Sequence, residues 1–387
     1  VSKKVFELAF IGGGLNSAIG YTHFIASQMD HRFKLKSACF SKDPSINAQT
    51  AELWGENDLR LHQDWQTLLE MEKNKIDAVC ILTPTPSHKQ IVSKALQLGH
   101  NVICEKTLCM DLQEALEIQE ILKQTQGFLA ITYNYTGYAM LRELRAMITK
   151  GDFGIIHNIQ IEMPQEGFLR LEQDKKPHPQ KWRMQDGTLP IISLDLGVHC
   201  QNIVSFLTHQ SPTQVVATSK SNGHFSHIID DVNILACFQE NLIVNMWYSK
   251  SALGHRNGLK VSVYGQKMSA TWIQNHPEEL LINTQNGEKI IKDRASPLDT
   301  NTAKLPRYNR FKAGHPAGFI EAFGNYYNDI ANALEQFYHE KKWTSDYVFG
   351  ITSAIKELAF LEAVAKSSQS QKFEAIDPVP MRKRGQK

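Results

Sequence analysis

No run in this chain approaches the roughly 18 apolar residues that a helical bilayer span requires. An excess of one charge is also missing. Lys and Arg number 42 against 40 Asp and Glu, a formal net charge of +2, which gives no electrostatic case for nucleic acid or a membrane surface. The basic stretch Met381–Lys387 reads as a solvated terminus. The first residues run directly into a strand pattern, so no signal peptide is expected. Cys39, Cys80, Cys104, Cys109, Cys200 and Cys237 form no C-x-x-C pair. They fall mostly in apolar strands, as the reduced core cysteines of a cytoplasmic protein do. Cys200 follows His199 near Asp195, but no second Cys/His pair at ligand spacing accompanies them, so no metal is expected. The sequence has neither a G-x-S-x-G elbow nor a Walker lysine motif, which removes two catalytic classes. Internal repeats and low-complexity segments are likewise missing.

What is present is a two-part pattern. At 387 residues the chain exceeds the roughly 250–300 at which single cores stop growing. Up to Thr132, predicted strands (Val5–Ile11, Leu35–Phe40, Ala78–Leu82, Asn101–Cys104, Phe128–Thr132) alternate with amphipathic helices. Among the helices are Ser87–Leu98 and Asp111–Thr125, the latter with Asp111 and Glu114 spaced as a capping box. Such alternation implies a parallel sheet covered on both faces. After a helix over Tyr138–Thr149 the period changes to strands: Ile155–Met163, Gln214–Ser219, Asp231–Phe238, Leu242–Lys250, Leu259–Tyr264 and Met268–Ile273. Short connections at Gln239-Glu240-Asn241, Gly265-Gln266 and Asn286-Gly287 predict a largely antiparallel sheet. Helices over Gly318–His339 and Asp346–Ser367 close the chain, and Lys292–Gly314 is a long loop of the kind that covers sites. The expected fold is α/β. A Rossmann dinucleotide-binding domain spans 1–132, and an α+β domain with an open, mostly antiparallel sheet spans 133–387.

The turn Phe10-Ile11-Gly12-Gly13-Gly14-Leu15-Asn16-Ser17-Ala18-Ile19-Gly20 carries the most information. Gly12 and Gly14 let the backbone turn and approach a ligand, with Leu15 and Asn16 at the tip and the next helix's N–H groups facing a pyrophosphate. Gly20 comes two residues later than the usual third glycine, so an ordinary tight loop is the alternative reading. Ligands of such sheets bind beyond the carboxyl ends of the strands. Thr83-Pro84-Thr85-Pro86-Ser87-His88, Glu105-Lys106-Thr107 and Tyr133-Asn134-Tyr135 all arrive there. In the second half, Asp195 and His199 are spaced to share one face of a helix, where acid and imidazole could orient each other for proton transfer. A helix cap beside a satisfied histidine is the plainer alternative.

These residues resemble the Gfo/Idh/MocA family of oxidoreductases (glucose–fructose oxidoreductase, inositol dehydrogenase and relatives). The resemblance rests on the Gly-rich turn, the T-P-x-x-x-H segment Thr83–His88, the E-K-P-like Glu105-Lys106-Thr107 and the D-x-x-x-H pair Asp195/His199. Gly314-His315-Pro316-Ala317-Gly318-Phe319-Ile320-Glu321-Ala322 resembles a G-H-P-x-G-x-x-E-A segment of one branch, and Trp182-Arg183 a pair that precedes the catalytic segment. The resemblance implies hydride transfer between a nicotinamide and a carbinol carbon of a cyclic polyol or sugar, with Lys106, Asp195 and His199 catalytic. It places Gly12, Gly14, Leu15, Asn16, Ser41, Lys42, Thr83, Pro84, His88, Glu105 and Lys106 around the cofactor. Tyr133, Tyr135, Trp182, Arg183 and His315 are candidates for the substrate pocket, or for packing. A non-catalytic sensor on the same scaffold and a nucleotide-sugar dehydrogenase are the rival readings.

The sequence departs from the family twice. Thr107 replaces a proline that often follows a cis peptide. Ser41-Lys42 replaces the acid that usually takes the adenosine ribose hydroxyls, and a hydroxyl with an ammonium suits a 2′-phosphate, so NADP is favoured over NAD. An open antiparallel sheet leaves one face without helices. Val244, Met246, Trp247, Tyr248, Val261 and Val263 are expected on that face, buried against a second copy in a dimer or tetramer.

Overall fold

The computed structural model describes residues 4–298 and 300–377, so Met381–Lys387 lie outside the described residues. The chain divides into two compact units, 1–137 with 318–354 and 138–317 with 355–387.

In the first unit, apolar strands β1 (Phe6–Gly12), β2 (Phe33–Cys39), β3 (Arg60–Leu61), β4 (Ala78–Leu82), β5 (Val102–Glu105) and β6 (Leu129–Thr132) alternate with five helices. These are α1 (Gly20–Gln28), α2 (Pro44–Leu53), α3 (Trp65–Met71), α4 (His88–Gln97) and α5 (Leu112–Thr125). The strands form one sheet in the order β3-β2-β1-β4-β5-β6, every pairing parallel. The order reverses beside β1, which is where such sheets bind ligands. Local signals set the helix starts. Asp43, Asp64 and Asp111 each cap the helix that follows through a side-chain bond to a backbone N–H. Half of the expected capping box forms: Asp111 accepts from Glu114 N–H at 2.9 Å, while the Glu114 carboxylate reaches Met110 N–H instead.

The second unit opens with α6 (Ala139–Lys150) and β7 (Ile156–Pro164). After a long irregular segment come a π-turn over Ser193–Gly197 and α7 (Val198–Thr208). Seven strands follow: β8 (Pro212–Lys220), β9 (Asp231–Phe238), β10 (Ile243–Ser249), β11 (Lys260–Gly265), β12 (Met268–Ile273), β13 (Leu280–Thr284) and β14 (Lys289–Lys292). The last elements among the described residues are α8 (Phe319–Glu340), α9 (Ile351–Ser370) and the short β15 (Glu374–Ala375). The nine-stranded sheet runs β14-β13-β12-β11-β7-β10-β9-β8-β15. It is antiparallel except where β10 meets β7. The three short connections join β9 to β10, β11 to β12 and β13 to β14, as their sequences predict.

Two expectations need correction. Helix α8 does not belong to the second unit. Its apolar stripe (Phe323, Tyr326, Tyr327, Ile330, Leu334, Phe337) joins the buried cluster of Phe6, Phe10, Phe33 and Phe128. The Tyr326 hydroxyl donates to the Ile131 carbonyl at 2.5 Å, and the Asn325 amide to Gly137 at 2.9 Å. Periodicity shows that a helix has an apolar stripe; it does not say which sheet that stripe covers.

The second correction concerns the sheet face. Val244, Met246, Tyr248, Val261 and Val263 are buried within the single chain, on the side where the Tyr248 hydroxyl meets Ser193 Oγ at 2.9 Å. Because side chains alternate along a strand, Trp247 alone of the six points the other way. It is half-buried there, among Val216, Leu235, Asn245 and Gln160, which register side by side across β8, β9, β10 and β7.

The long loop between β14 and α8 is anchored from below by buried charges. Glu143 accepts from the Thr300 hydroxyl at 2.7 Å and from Ala303 N–H at 2.9 Å. Arg294, 3% exposed, pairs with Glu278 and donates to the carbonyls of Tyr308, Phe311 and His315.

Candidate active site

The Gly-rich turn leaves β1 with Gly12 at φ +82° and Gly13 at φ +81°, a region that L side chains rarely adopt. Space is equally restrictive. A Cβ on Gly12 would lie 2.8 Å from Thr83 N, and one on Gly20 would lie 1.8 Å from the Gly13 carbonyl oxygen. Gly20 therefore fills the role of the third glycine, close approach of helix to turn, despite its late position. Gly14 faces Thr50, whose hydroxyl accepts from Leu15 N–H at 3.2 Å. Leu15 and Asn16 are exposed at the tip. Ser17 Oγ accepts from Ile19 N–H and Gly20 N–H, capping the entry to α1. Gly13, Ser17 and Thr50 escaped the sequence reading: two are ordinary polar residues, and Gly13 only doubled a glycine already counted.

At the end of β2, Ser41 is clamped by Asn47, which accepts from Ser41 N–H at 2.8 Å and donates to the Ser41 carbonyl at 3.0 Å. Lys42 is exposed. Asp43, the nearest acid, accepts from both Ser45 N–H and the Ser45 hydroxyl, and these bonds hold its carboxyl below the ordinary value. Its carboxylate is engaged in capping α2.

The ends of β4, β5 and β6 are tied together. His88 is 1% exposed, with Nε2 2.6 Å from the Thr83 carbonyl and Nδ1 2.8 Å from the Thr107 carbonyl. Burial pulls its pKa down against these two acceptors. Expected among the cofactor-binding residues, His88 has both ring nitrogens on backbone carbonyls, and so pins the Thr83-Pro84 segment to the Lys106–Thr107 peptide, which is cis.

Glu105 accepts from the Thr132 hydroxyl at 2.6 Å and lies 3.1 Å from His23 Nε2, while His23 Nδ1 meets the Tyr327 hydroxyl at 2.7 Å. Burial alone would raise the Glu105 pKa. The His23 hydrogen bond, the charges of His23 and Lys106, and the Thr132 hydroxyl together bring it below the ordinary value. An anionic carboxylate thus underlies Lys106, which is half-buried. Tyr133 and Tyr135 are both buried, edge-on to Phe349 and Phe319 respectively. His23 had no mark in the sequence beyond being a histidine on the first helix.

In the second unit, Asp195 and His199 do not share a regular helix, because Asp195 sits in the π-turn and His199 in α7. One-turn π segments recur at functional sites. Gly197 packs closely within this one: a Cβ there would lie 3.0 Å from the Tyr248 ring and 3.1 Å from Leu361. Asp195 Oδ2 lies 2.5 Å from Lys250 Nζ and 2.7 Å from Arg183 Nη1. The arginine contact is a close ion pair without an aligned N–H. The Arg183 guanidinium lies over the Trp182 ring, 4.4 Å from its centroid, so the Trp-Arg pair converges on Asp195 as a unit. His199 is 5% exposed. His315 is exposed, its ring edge-on to Phe311.

Comparison with known proteins agrees with this architecture. Residues 6–133 match the oxidoreductase family with an NAD-binding Rossmann fold, and residues 141–271 match the GFO/IDH/MocA C-terminal domain. The chain is 27% identical over 346 residues to the uncharacterized oxidoreductase YfiI of Bacillus subtilis, covering 87% of each. It is 26% identical to an inositol dehydrogenase homolog from Azotobacter vinelandii, solved with NADH and myo-inositol. The TM-score is 0.87, with 97% of this chain and 99% of that one covered. Over 158 residues, 40% of this chain and 42% of the relative, it is 29% identical to the NADP(+) D-xylose 1-dehydrogenase of Haloarcula marismortui.

Proposed function

The chain belongs to the Gfo/Idh/MocA family of oxidoreductases, and from that premise we propose that it moves a hydride between a nicotinamide dinucleotide and the carbinol carbon of a cyclic polyol or sugar. The observation that carries this reading is the Glu105–Lys106 pair, held by His23 and Thr132 where β5 ends. The glycine cradle fits a dinucleotide, since a side chain at Gly12 would collide with backbone at the end of β4, and one at Gly20 with backbone in the turn. When bound, the nicotinamide accepts or returns the hydride at C4.

In the oxidative direction His199 takes the hydroxyl proton as general base, and Lys106 donates a hydrogen bond to the developing alkoxide. Asp195 holds a substrate hydroxyl. Trp182-Arg183 and His315 of the second unit, and Tyr133 and Tyr135 of the first, are the proposed substrate-binding residues. The similarity to an inositol dehydrogenase homolog supports a polyol. The free thiols, five of the six buried, suit a reducing cytoplasm. The sheet face bearing Trp247 and Leu235 is the surface on which two copies meet.

The test is absorbance at the reduced-nicotinamide band, with purified protein, NADP or NAD, and a panel of inositols and aldoses. Turnover of at least one is expected; silence across the panel overturns the reading. NADP is the expected partner, because Ser41 and Lys42 follow β2 while Asp43 caps α2. The kcat/KM ratio should favour NADP, and replacing Lys42 by Ala should erase that preference. A tenfold preference for NAD contradicts it.

A further inference from the structure

Lys250 lies just past the end of β10, and its backbone is pinned on both sides. Its N–H donates to the Asp230 carbonyl at 2.7 Å, and its carbonyl accepts from Phe168 N–H at 2.8 Å. Its side chain is 11% exposed, with Nζ over the Phe168 ring and 2.5 Å from Asp195 Oδ2. Arg183 meets the same oxygen, but from an irregular segment and with 28% of its side chain exposed. Asp195 therefore has one cation delivered by the sheet and one by a loop. A covered ammonium without a counter-charge is strongly unfavourable.

We propose that Lys250 is a positioning residue for the reaction. It holds the Asp195 carboxylate as a hydrogen-bond acceptor for the substrate hydroxyl, and it keeps its own proton throughout. Proton removal then falls to His199. This inference rests on the polyol-dehydrogenase reading and assigns Lys250 no contact with substrate. Its effect passes through Asp195.

The experiment is a double-mutant cycle on the full chain with Lys250→Met, Lys250→Arg, Asp195→Asn and the Lys250→Met/Asp195→Asn pair. Measured for each are kcat, KM, NAD(P)H affinity by fluorescence and the thermal midpoint. Lys250→Met should lower kcat about 10- to 100-fold and leave NAD(P)H affinity unchanged. Lys250→Arg should restore kcat to within about tenfold, because the cation is retained. The double variant should be no slower than Asp195→Asn alone, and the losses in thermal midpoint should be similarly non-additive. A folded Lys250→Met with wild-type kcat and KM overturns the inference. So do losses that multiply in the double variant, since Lys250 would then act independently of Asp195. Wild-type turnover by Asp195→Asn sinks the reading of the site itself. If the wild type oxidises no polyol or sugar, the reading and this inference fall together.

Discussion

Glu105 shows how the first unit holds a charge where burial disfavours one. Its carboxylate is 13% exposed and sits between the His23 ring and the Thr132 hydroxyl, and these partners outweigh the desolvation that would otherwise raise its pKa. A carboxyl depressed in the folded state stabilises the fold fully above its unfolded value, about 4.3. That contribution is lost as pH falls through the folded value. Replacing Glu105 by Gln should cost roughly 1–3 kcal/mol at pH 7 and flatten the acid limb of stability against pH. Urea midpoints collected between about pH 3 and 7 check both; parallel curves for the two proteins would contradict the assignment. Lys106 makes a different prediction, because the role proposed for it lies in the transition state. Truncation to Ala should reduce kcat about 10²- to 10⁴-fold with cofactor affinity nearly intact. Wild-type turnover would remove it from the mechanism.

Among the elements, the turn from β1 into α1 tolerates the least change. A methyl group at Gly20 would be placed 1.8 Å from a backbone oxygen, so backbone must move to admit it. Gly20→Ala should weaken NAD(P)H binding by at least about tenfold, read by fluorescence titration, a loss of about 1.4 kcal/mol or more. Strands and helices were largely legible in the sequence. β4, β9 and β12 span the predicted residues, and Asp111, the expected cap, starts α5. These features are local, and local sterics and hydrogen bonding produce them. The π-turn at Asp195 was not legible. The sequence around it reads as plain helix, and Gly197 within it packs against Tyr248 and Leu361, residues far away in the chain.

For the molecule as a whole, the exposed side of the nine-stranded sheet is the surface proposed above for assembly. Trp247, Leu235 and Val216 share that side with Asn245 and Gln160, a mixed apolar and polar surface of the kind that oligomers bury. Arg in place of Trp247 and Leu235 together should shift sedimentation velocity toward the monomer. Stability of the single chain should change little, because neither residue belongs to its buried core. An unchanged sedimentation coefficient would place the interface elsewhere. Within the described residues, no helix is long and apolar enough to cross a membrane.

The amino-acid order alone was enough for the parallel and antiparallel halves and the glycine cradle, since these follow from periodicity and turn chemistry, and its motifs are the ground on which Lys106, Asp195 and His199 are proposed. Tertiary structure alone decided which groups those residues meet. Lys250 reaches Asp195 across 55 positions, and His23 reaches Glu105 across 82. It also decided which sheet α8 covers and which sheet face stays open. An ion pair or a buried face is a property of side chains brought together from distant segments, and no window of local sequence contains both partners.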